Sequence, residues 1–290
     1  MSKLSESTLK SYVATLDMLK NSMGDNYLVK MMNNPKEVIN TVEKKYKNVN
    51  TLKSHFAKIG CLAEAKARNN TEAESIKKIY IDRMYKYDQI NKNKIETNEK
   101  SDKQKKDWLS WNRILKVRDD LYKHRLDSKI DMLNNLIISL YTYLPPVRNN
   151  YAKLLITKTI PDENTFNYLY INPRNLRMSI TLNKYKTAKT YGPITLEIPH
   201  KLALIIHEWI AKYPSKYLIS WAGKPYDNQS LGVKITKIFE DKTGKRIGAS
   251  MLRHIYITDV VNKIKTVKEK RKIATMMGHS LAQQMLYSKI

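Results

Sequence analysis

LRHIYITDV, residues 252–260, and MGHSLAQQMLY, residues 277–287, place Arg253, His254, Gly278, His279, Ser280 and Tyr287 close together near the end of the sequence. Each piece has an ordinary local explanation. Leu252, Ile255 and Tyr256 fit the apolar side of a helix around a basic pair. Gly278 fits a helix end and Ser280 the cap of the helix that follows. Helix punctuation does not account for the order: an arginine, then a histidine, then a tyrosine eight positions after that histidine.

Upstream of these segments the hydrophobic period changes twice. FNYLYIN, LRMSITLN and GPITLEIP are short runs rich in Ile, Leu, Tyr and Thr, separated by PRN and KYKTAKTY, which predicts a three-stranded antiparallel sheet. Helical spacing surrounds it. DWLSWNRILKVRDDLYKHR and SKIDMLNNLIISLYTYL precede it, ending at Pro145 and Pro146; HKLALIIHEWIAKYP, SLGVKITKIFEDKTG, SMLRHIYITDVVNKI and TVKEKRKIATMMG follow. The sheet is therefore expected to be a small insert in a helical domain.

The first part of the chain is helical throughout. In SESTLKSYVATLDMLKNSMG, Ser5 or Ser7 can cap a helix carrying Leu9, Tyr12, Val13, Leu16 and Leu19, with Gly24 at its end. Pro35 starts the next, and NTLKSHFAKIGCLAEAKA and TEAESIKKIYIDRMYKYDQI continue the pattern. From Asn91 to Asp107 the text NKNKIETNEKSDKQKKD has almost no core-forming residue, and reads as a linker or a solvated helix extension. The expected division is a helical domain over 1–90, a charged linker over 91–106 and a second domain over 107–290. The fold class is mainly α with a small antiparallel β-sheet (α+β).

Composition narrows the partner. The 290 residues hold 53 Lys and Arg against 27 Asp and Glu, a net charge of +26. An AT-rich genome would account for part of the lysine, but a field this strong calls for a polyanion, and nucleic acid is the usual one. The eight glycines form neither GxGxxG nor GxxxxGK[ST], so no nucleotide-driven motor is expected. Cys61 is the single cysteine and the six histidines are scattered, so no intramolecular disulfide, metal site or cofactor is expected. The longest apolar runs are too short to span a bilayer, and an intracellular, soluble protein with no membrane partner is expected, its compartment left open.

An arginine after an apolar helix, a lysine on a β-hairpin, then LRH, then GHS and a closing tyrosine together resemble the tyrosine recombinase (phage-integrase) family. The resemblance covers both parts of the chain. It implies a helical core-binding domain that clamps DNA, followed by a DNA breaking-rejoining catalytic domain. It implies double-stranded DNA as partner, with a homo-oligomer, dimer to tetramer, at work on it. The activity implied is site-specific strand exchange through a covalent 3'-phosphotyrosine, without metal or ATP. Integration, excision and resolution are equally compatible, as are mobile-element and viral origins. Two alternatives stay open: relaxation of DNA in the manner of type IB topoisomerases, and DNA binding with decayed catalysis.

By the same resemblance, Arg148, Lys186, Arg253, His279 and Tyr287 are the catalytic residues. Tyr287 would attack phosphorus, Arg148 and Arg253 would bind the non-bridging oxygens with paired hydrogen bonds, and His279 would donate another. Lys186 would protonate the leaving 5' oxygen, being the best match among Lys184, Lys186 and Lys189 on one turn. Two departures stand out. The family often has an acidic residue three positions after the first arginine, where this chain has Tyr151. It usually has His or Lys three positions before the second, where this chain has Ser250. A phenol of ordinary pKa is about one-thousandth ionised at pH 7, so a missing base would cost about 4 kcal/mol. Either His254 or His279 substitutes or turnover is slow, with Ser250 and His254 as accessory candidates.

Overall fold

The computed structural model describes residues 6–67, 69–162 and 165–290, with the side chain of Ser7 left aside. The chain forms two compact units that divide between Thr97 and Asn98.

The first unit is a bundle of helices: α1 (Glu6–Met23), α2 (Tyr27–Asn33), α3 (Pro35–Lys45), α4 (Val49–Lys66) and α5 (Asn70–Glu96). The expected cap at Ser5 lies outside the described residues, and so does the Ser7 side chain. Pro35 occupies the first turn of α3, where its missing N–H costs nothing, and the Asn34 side chain accepts from the Glu37 amide at 3.3 Å. Helices α4 and α5 approach closely at Gly60, where a Cβ would lie 3.2 Å from Ile81 Cδ1. Leu19, Met31, Val38, Phe56 and Ile59 fill the core, each worth about 1.5–3 kcal/mol when fully buried. Tyr80 is buried among them and donates its hydroxyl to Met31 O at 2.7 Å, so this polar atom is not stranded. Helix α5 continues through Glu96, well past the limit at residue 90 that composition suggests; polar residues make a solvated helical turn as readily as a linker.

The second unit opens with α6 (Asp102–Asp107), α7 (Trp111–Lys123) and α8 (Lys129–Tyr143). In α8 Met132, Leu133, Leu136, Ile137, Ile138 and Leu140 are all buried, so this helix is wrapped on every side and forms the axis of the core. The sheet follows: β1 (Leu155–Thr157), β2 (Tyr168–Ile171), β3 (Met178–Leu182) and β4 (Ile194–Glu197), hydrogen-bonded in that order. Strands β2, β3 and β4 are antiparallel, with Leu169 opposite Ile180 and Ile180 opposite Leu196. The expectation of three antiparallel strands is corrected at one edge, where β1 pairs with β2 in parallel. That strand is three residues long, too short to show an alternation.

The connection from β3 to β4 also departs from the expected hairpin turn. It contains a single helical turn, α9 (Ala188–Tyr191), so Lys184, Lys186 and Lys189 do not share one β-turn. Next come α10 (His200–Lys212), a small hairpin of β5 (Ser220–Trp221) and β6 (Lys224–Pro225), and α11 (Asn228–Thr243). The unit closes with α12 (Ala249–Asp259), a 3-10 turn at Val261–Lys263, α13 (Val267–Met276) and α14 (Leu281–Tyr287). No described helix in either unit is long and apolar enough to cross a membrane.

Candidate active site

Four side chains from three parts of the second unit, Arg148, the α12 pair Arg253 and His254, and His279, meet at Tyr287. Arg148 lies beyond the end of α8, and its Nη2 donates to the Tyr287 hydroxyl at 3.2 Å. Its backbone is fixed by Tyr141 on α8, whose hydroxyl donates to Arg148 O at 2.9 Å. Tyr151, where the family resemblance would place an acid, is fully buried and packs edge-on against Tyr141 with ring centroids 5.1 Å apart. Burial pushes both phenols well up, so the pair stays neutral. Arg148 is thus braced through its backbone by Tyr141, and among the described residues no carboxylate holds its guanidinium.

Arg253 comes from α12. Its guanidinium lies 4.8 Å from the Tyr287 ring centroid, and its Nη1 donates to Met277 O at 3.3 Å. Only 3% of the residue is exposed, and its Nε is buried without a partner among the described residues. A desolvated guanidinium with a spare donor is poised for an anion, because an incoming acceptor restores what burial removed. Burial lowers its pKa, and the neighbouring Arg148 charge acts in the same direction.

His279 sits on the turn between α13 and α14. Gly278 makes this turn possible: its φ is 69°, and a Cβ there would lie 2.9 Å from Tyr185 Cε2. The carbonyl of Gly278 accepts from Thr187 Oγ1 at 2.7 Å. Tyr185 and Thr187 therefore seat the β3–β4 connection on the histidine turn, and Lys186 lies between them with its side chain exposed. The His279 ring stacks on Tyr287 at 5.5 Å, with Nδ1 at 3.1 Å from Ser280 O. A carbonyl oxygen only accepts, so Nδ1 carries the proton and the buried Nε2, which has no partner, holds a lone pair. Burial lowers the His279 pKa to about 4.

Tyr287 is the last residue of α14, a helix capped by Ser280, whose hydroxyl accepts from the Gln283 amide at 3.1 Å. The local reading of Gly278 and Ser280 as helix punctuation and their place in a site hold together. Burial alone would push the Tyr287 phenol up; the guanidinium groups of Arg253 and Arg148 outweigh it, and the net pKa lies below the ordinary value. His254 flanks the tyrosine from α12, with ring centroids 4.8 Å apart and Nδ1 at 2.7 Å from Tyr287 O. Ser250 is exposed at the start of α12, and no side-chain hydrogen bond from it is seen among the described residues. Thr258 and Asn262 were not singled out by sequence, yet both bind the residues after Tyr287: Thr258 Oγ1 accepts from Lys289 N at 2.9 Å, and Asn262 Nδ2 donates to Ser288 Oγ at 2.6 Å. No group of three metal-ligating side chains is found among the described residues.

Among solved structures the chain is similar to XerH site-specific recombinase bound to difH substrate in a pre-cleavage complex. The TM-score is 0.59 at 14% identity, over 97% of this chain and 76% of that one. The fold is that of the tyrosine recombinases. XerA recombinase also matches, over 99% of this chain and 88% of that one, at 15% identity and a TM-score of 0.45. No protein-family model and no curated protein matches the sequence. The fold is therefore shared with the XerH structure at only 14% sequence identity.

Proposed function

We propose that the chain breaks and rejoins DNA for site-specific strand exchange, with Tyr287 as nucleophile and the first unit as a core-binding clamp on the duplex. The observation that carries this reading is the tyrosine itself: its hydroxyl is held by Arg148 at 3.2 Å and its ring lies beside a buried Arg253 with an unused donor. Two guanidinium groups fixed around one phenol bring positive charge to where a phosphate would stand and favour the phenolate.

The step balances as follows. Tyr287 Oη forms the bond to phosphorus and the bond to the 5' oxygen breaks, leaving a 3'-phosphotyrosine. The phenol proton passes to His279 Nε2, which in the neutral ring is the free acceptor. Once charged, that nitrogen donates to a non-bridging oxygen, the hydrogen bond expected of it. Lys186, carried beside the histidine turn by Tyr185 and Thr187, gives its ammonium proton to the departing 5' oxygen. The phosphotyrosine keeps the bond energy for rejoining, so this step calls for neither metal nor nucleotide.

Duplex DNA with a nick near the cleavage point, which loses its short 5' fragment on attack, tests this in the presence of a chelator. Mass spectrometry is expected to locate a DNA adduct on Tyr287, absent in Tyr287→Phe. Binding without an adduct would favour decayed catalysis, and an adduct on another residue would remove Tyr287 from the mechanism. Relaxation of supercoils by a monomer would favour topoisomerase-like action.

A further inference from the structure

Tyr287 rides on an element that the core hardly holds. Of the seven residues of α14 only Gln284 is buried, while Met285 and Leu286 are 66% and 37% exposed. The apolar packing of the Tyr287 ring is limited to a small cluster around Ile257, Val261 and Met277; its other neighbours are His254, His279 and the Arg253 guanidinium. Packing this sparse does not fix a side chain to the tolerance that in-line attack needs.

Gln284 Nε2 donates to Lys270 O at 3.3 Å, and at the far end Ile290 N donates to Asn98 O at 2.9 Å and Lys100 Nζ to Ile290 O at 2.8 Å; between them, the residues next to the tyrosine meet a stripe of polar groups on the arginine's own helix. His254, Thr258 and Asn262 follow one another at intervals of four along α12 and the 3-10 turn that extends it, which puts them on one face. They take successive parts of the segment leaving Tyr287: His254 Nδ1 meets Tyr287 O at 2.7 Å, Asn262 Nδ2 meets Ser288 Oγ at 2.6 Å, and Thr258 Oγ1 meets Lys289 N at 2.9 Å. Ser288 is extended, with φ −60° and ψ 144°, so the helix stops at the tyrosine and the following residues run along the stripe. Because the His254 ring faces a carbonyl through Nδ1, its proton is on that nitrogen and the ring acts as a donor.

We propose that His254, Thr258 and Asn262 are positioning residues, a polar ladder that docks residues 287–289 on the helix bearing Arg253 and so holds the nucleophile in register with the phosphate-binding arginine. This rests on the reading of Tyr287 as nucleophile. In this arrangement His254 acts through Nδ1 and the backbone and not as a base through Nε2, which leaves His279 as the proton acceptor of the proposed step.

The test uses the full chain and isosteric pairs. His254→Asn keeps an N–H near the Nδ1 position, whereas His254→Gln carries it to the Nε2 position. Thr258→Val removes the acceptor and keeps the shape; Thr258→Ser restores it. The first readout is the Tyr287 phenol pKa without DNA, by NMR of ring-labelled tyrosine with Tyr287→Phe for assignment. The second is adduct rate at saturating DNA beside DNA affinity. His254→Gln and Thr258→Val are expected to slow adduct formation about 10- to 100-fold with affinity unchanged, and to return the phenol toward its ordinary value as it leaves the arginines. His254→Asn and Thr258→Ser are expected to recover both readouts. An unmoved phenol in His254→Gln and Thr258→Val overturns the ladder, as does equal loss of rate in His254→Asn and His254→Gln. If the wild-type chain forms no adduct, the nucleophile reading fails alone, because the phenol titration still reports whether the ladder holds.

Discussion

Helix α12 buries Ala249, Leu252, Arg253, Ile255 and Ile257, whereas α14 buries Gln284 alone. The two helices carry the two partners of the proposed reaction, and they are built on opposite plans. Arg253 is set in the main core, its guanidinium already stripped of water before any phosphate arrives. Tyr287 sits at the end of a short helix that buries little apolar surface, and its anchorage is mainly hydrogen bonds and ring contacts. The difference separates preorganisation from delivery: the anion site is part of the fold, and the nucleophile is hydrogen-bonded onto it. Stability and activity should then respond differently to changes in the two helices.

The largest expected contrast is in stability. Leu252→Ala opens a cavity in a fully buried position and is expected to cost about 2–5 kcal/mol. Leu286→Ala, one residue before the tyrosine and 37% exposed, is expected to stay within about 0.5 kcal/mol. Urea titrations of the second unit's transition measure both. Similar losses would mean that α14 is a core element after all.

The same contrast governs what the sequence discloses. Helix α12 is readable because Leu252 and Ile255 mark a buried face, and Gly278 with Ser280 marks where α13 ends and α14 begins. Side chains carried on such elements, Arg253, His279 and Tyr287, converge as their order suggests. The rest depends mostly on contacts to backbone atoms, which leave no trace in residue identity. Thr258 and Asn262 bind the main chain or hydroxyl of residues after Tyr287, and Tyr141 binds the carbonyl of Arg148 seven positions on. Nothing in a threonine or a tyrosine announces such a partner. Two further misreadings have local causes: β1 is too short to alternate, and TAKTY between β3 and β4 closes a helical turn where a hairpin tip was expected.

An intermediate effect should appear with pH, because the rigid half includes a histidine that burial keeps neutral. The folded His279 pKa of about 4 lies below the value of about 6.5 for an exposed ring. A base whose pKa is depressed on folding leaves stability intact above the unfolded value and withdraws it as pH falls toward the folded one. The second unit should therefore lose about 1–3 kcal/mol between pH 6.5 and pH 4 through this residue. His254, also lowered by burial, acts in the same sense. His279→Asn is expected to flatten the acid limb of the stability curve, and an unchanged limb would show that His279 is accessible to protons in the folded chain.

The smallest expected effect lies within the rigid half, between two tyrosines that look equivalent by burial. Tyr141 and Tyr151 are both fully buried and in edge contact, yet the Tyr141 hydroxyl has the 2.9 Å contact to Arg148 O, whereas the Tyr151 hydroxyl is buried without a partner among the described residues. Removing a hydroxyl that is already unsatisfied releases the cost of its desolvation and opens little space, so Tyr151→Phe is expected to be neutral or stabilising by up to about 1 kcal/mol. Tyr141→Phe removes a made bond and strands a carbonyl, and is expected to cost about 1 kcal/mol. It should also slow adduct formation, because the carbonyl it releases belongs to the residue whose guanidinium holds the Tyr287 hydroxyl. Equal effects of the two substitutions on stability and rate would mean that Arg148 is placed by the turn around it and not by the aromatic pair, and would shift the bracing of the first arginine from Tyr141 to the Pro145–Pro146 segment that precedes it.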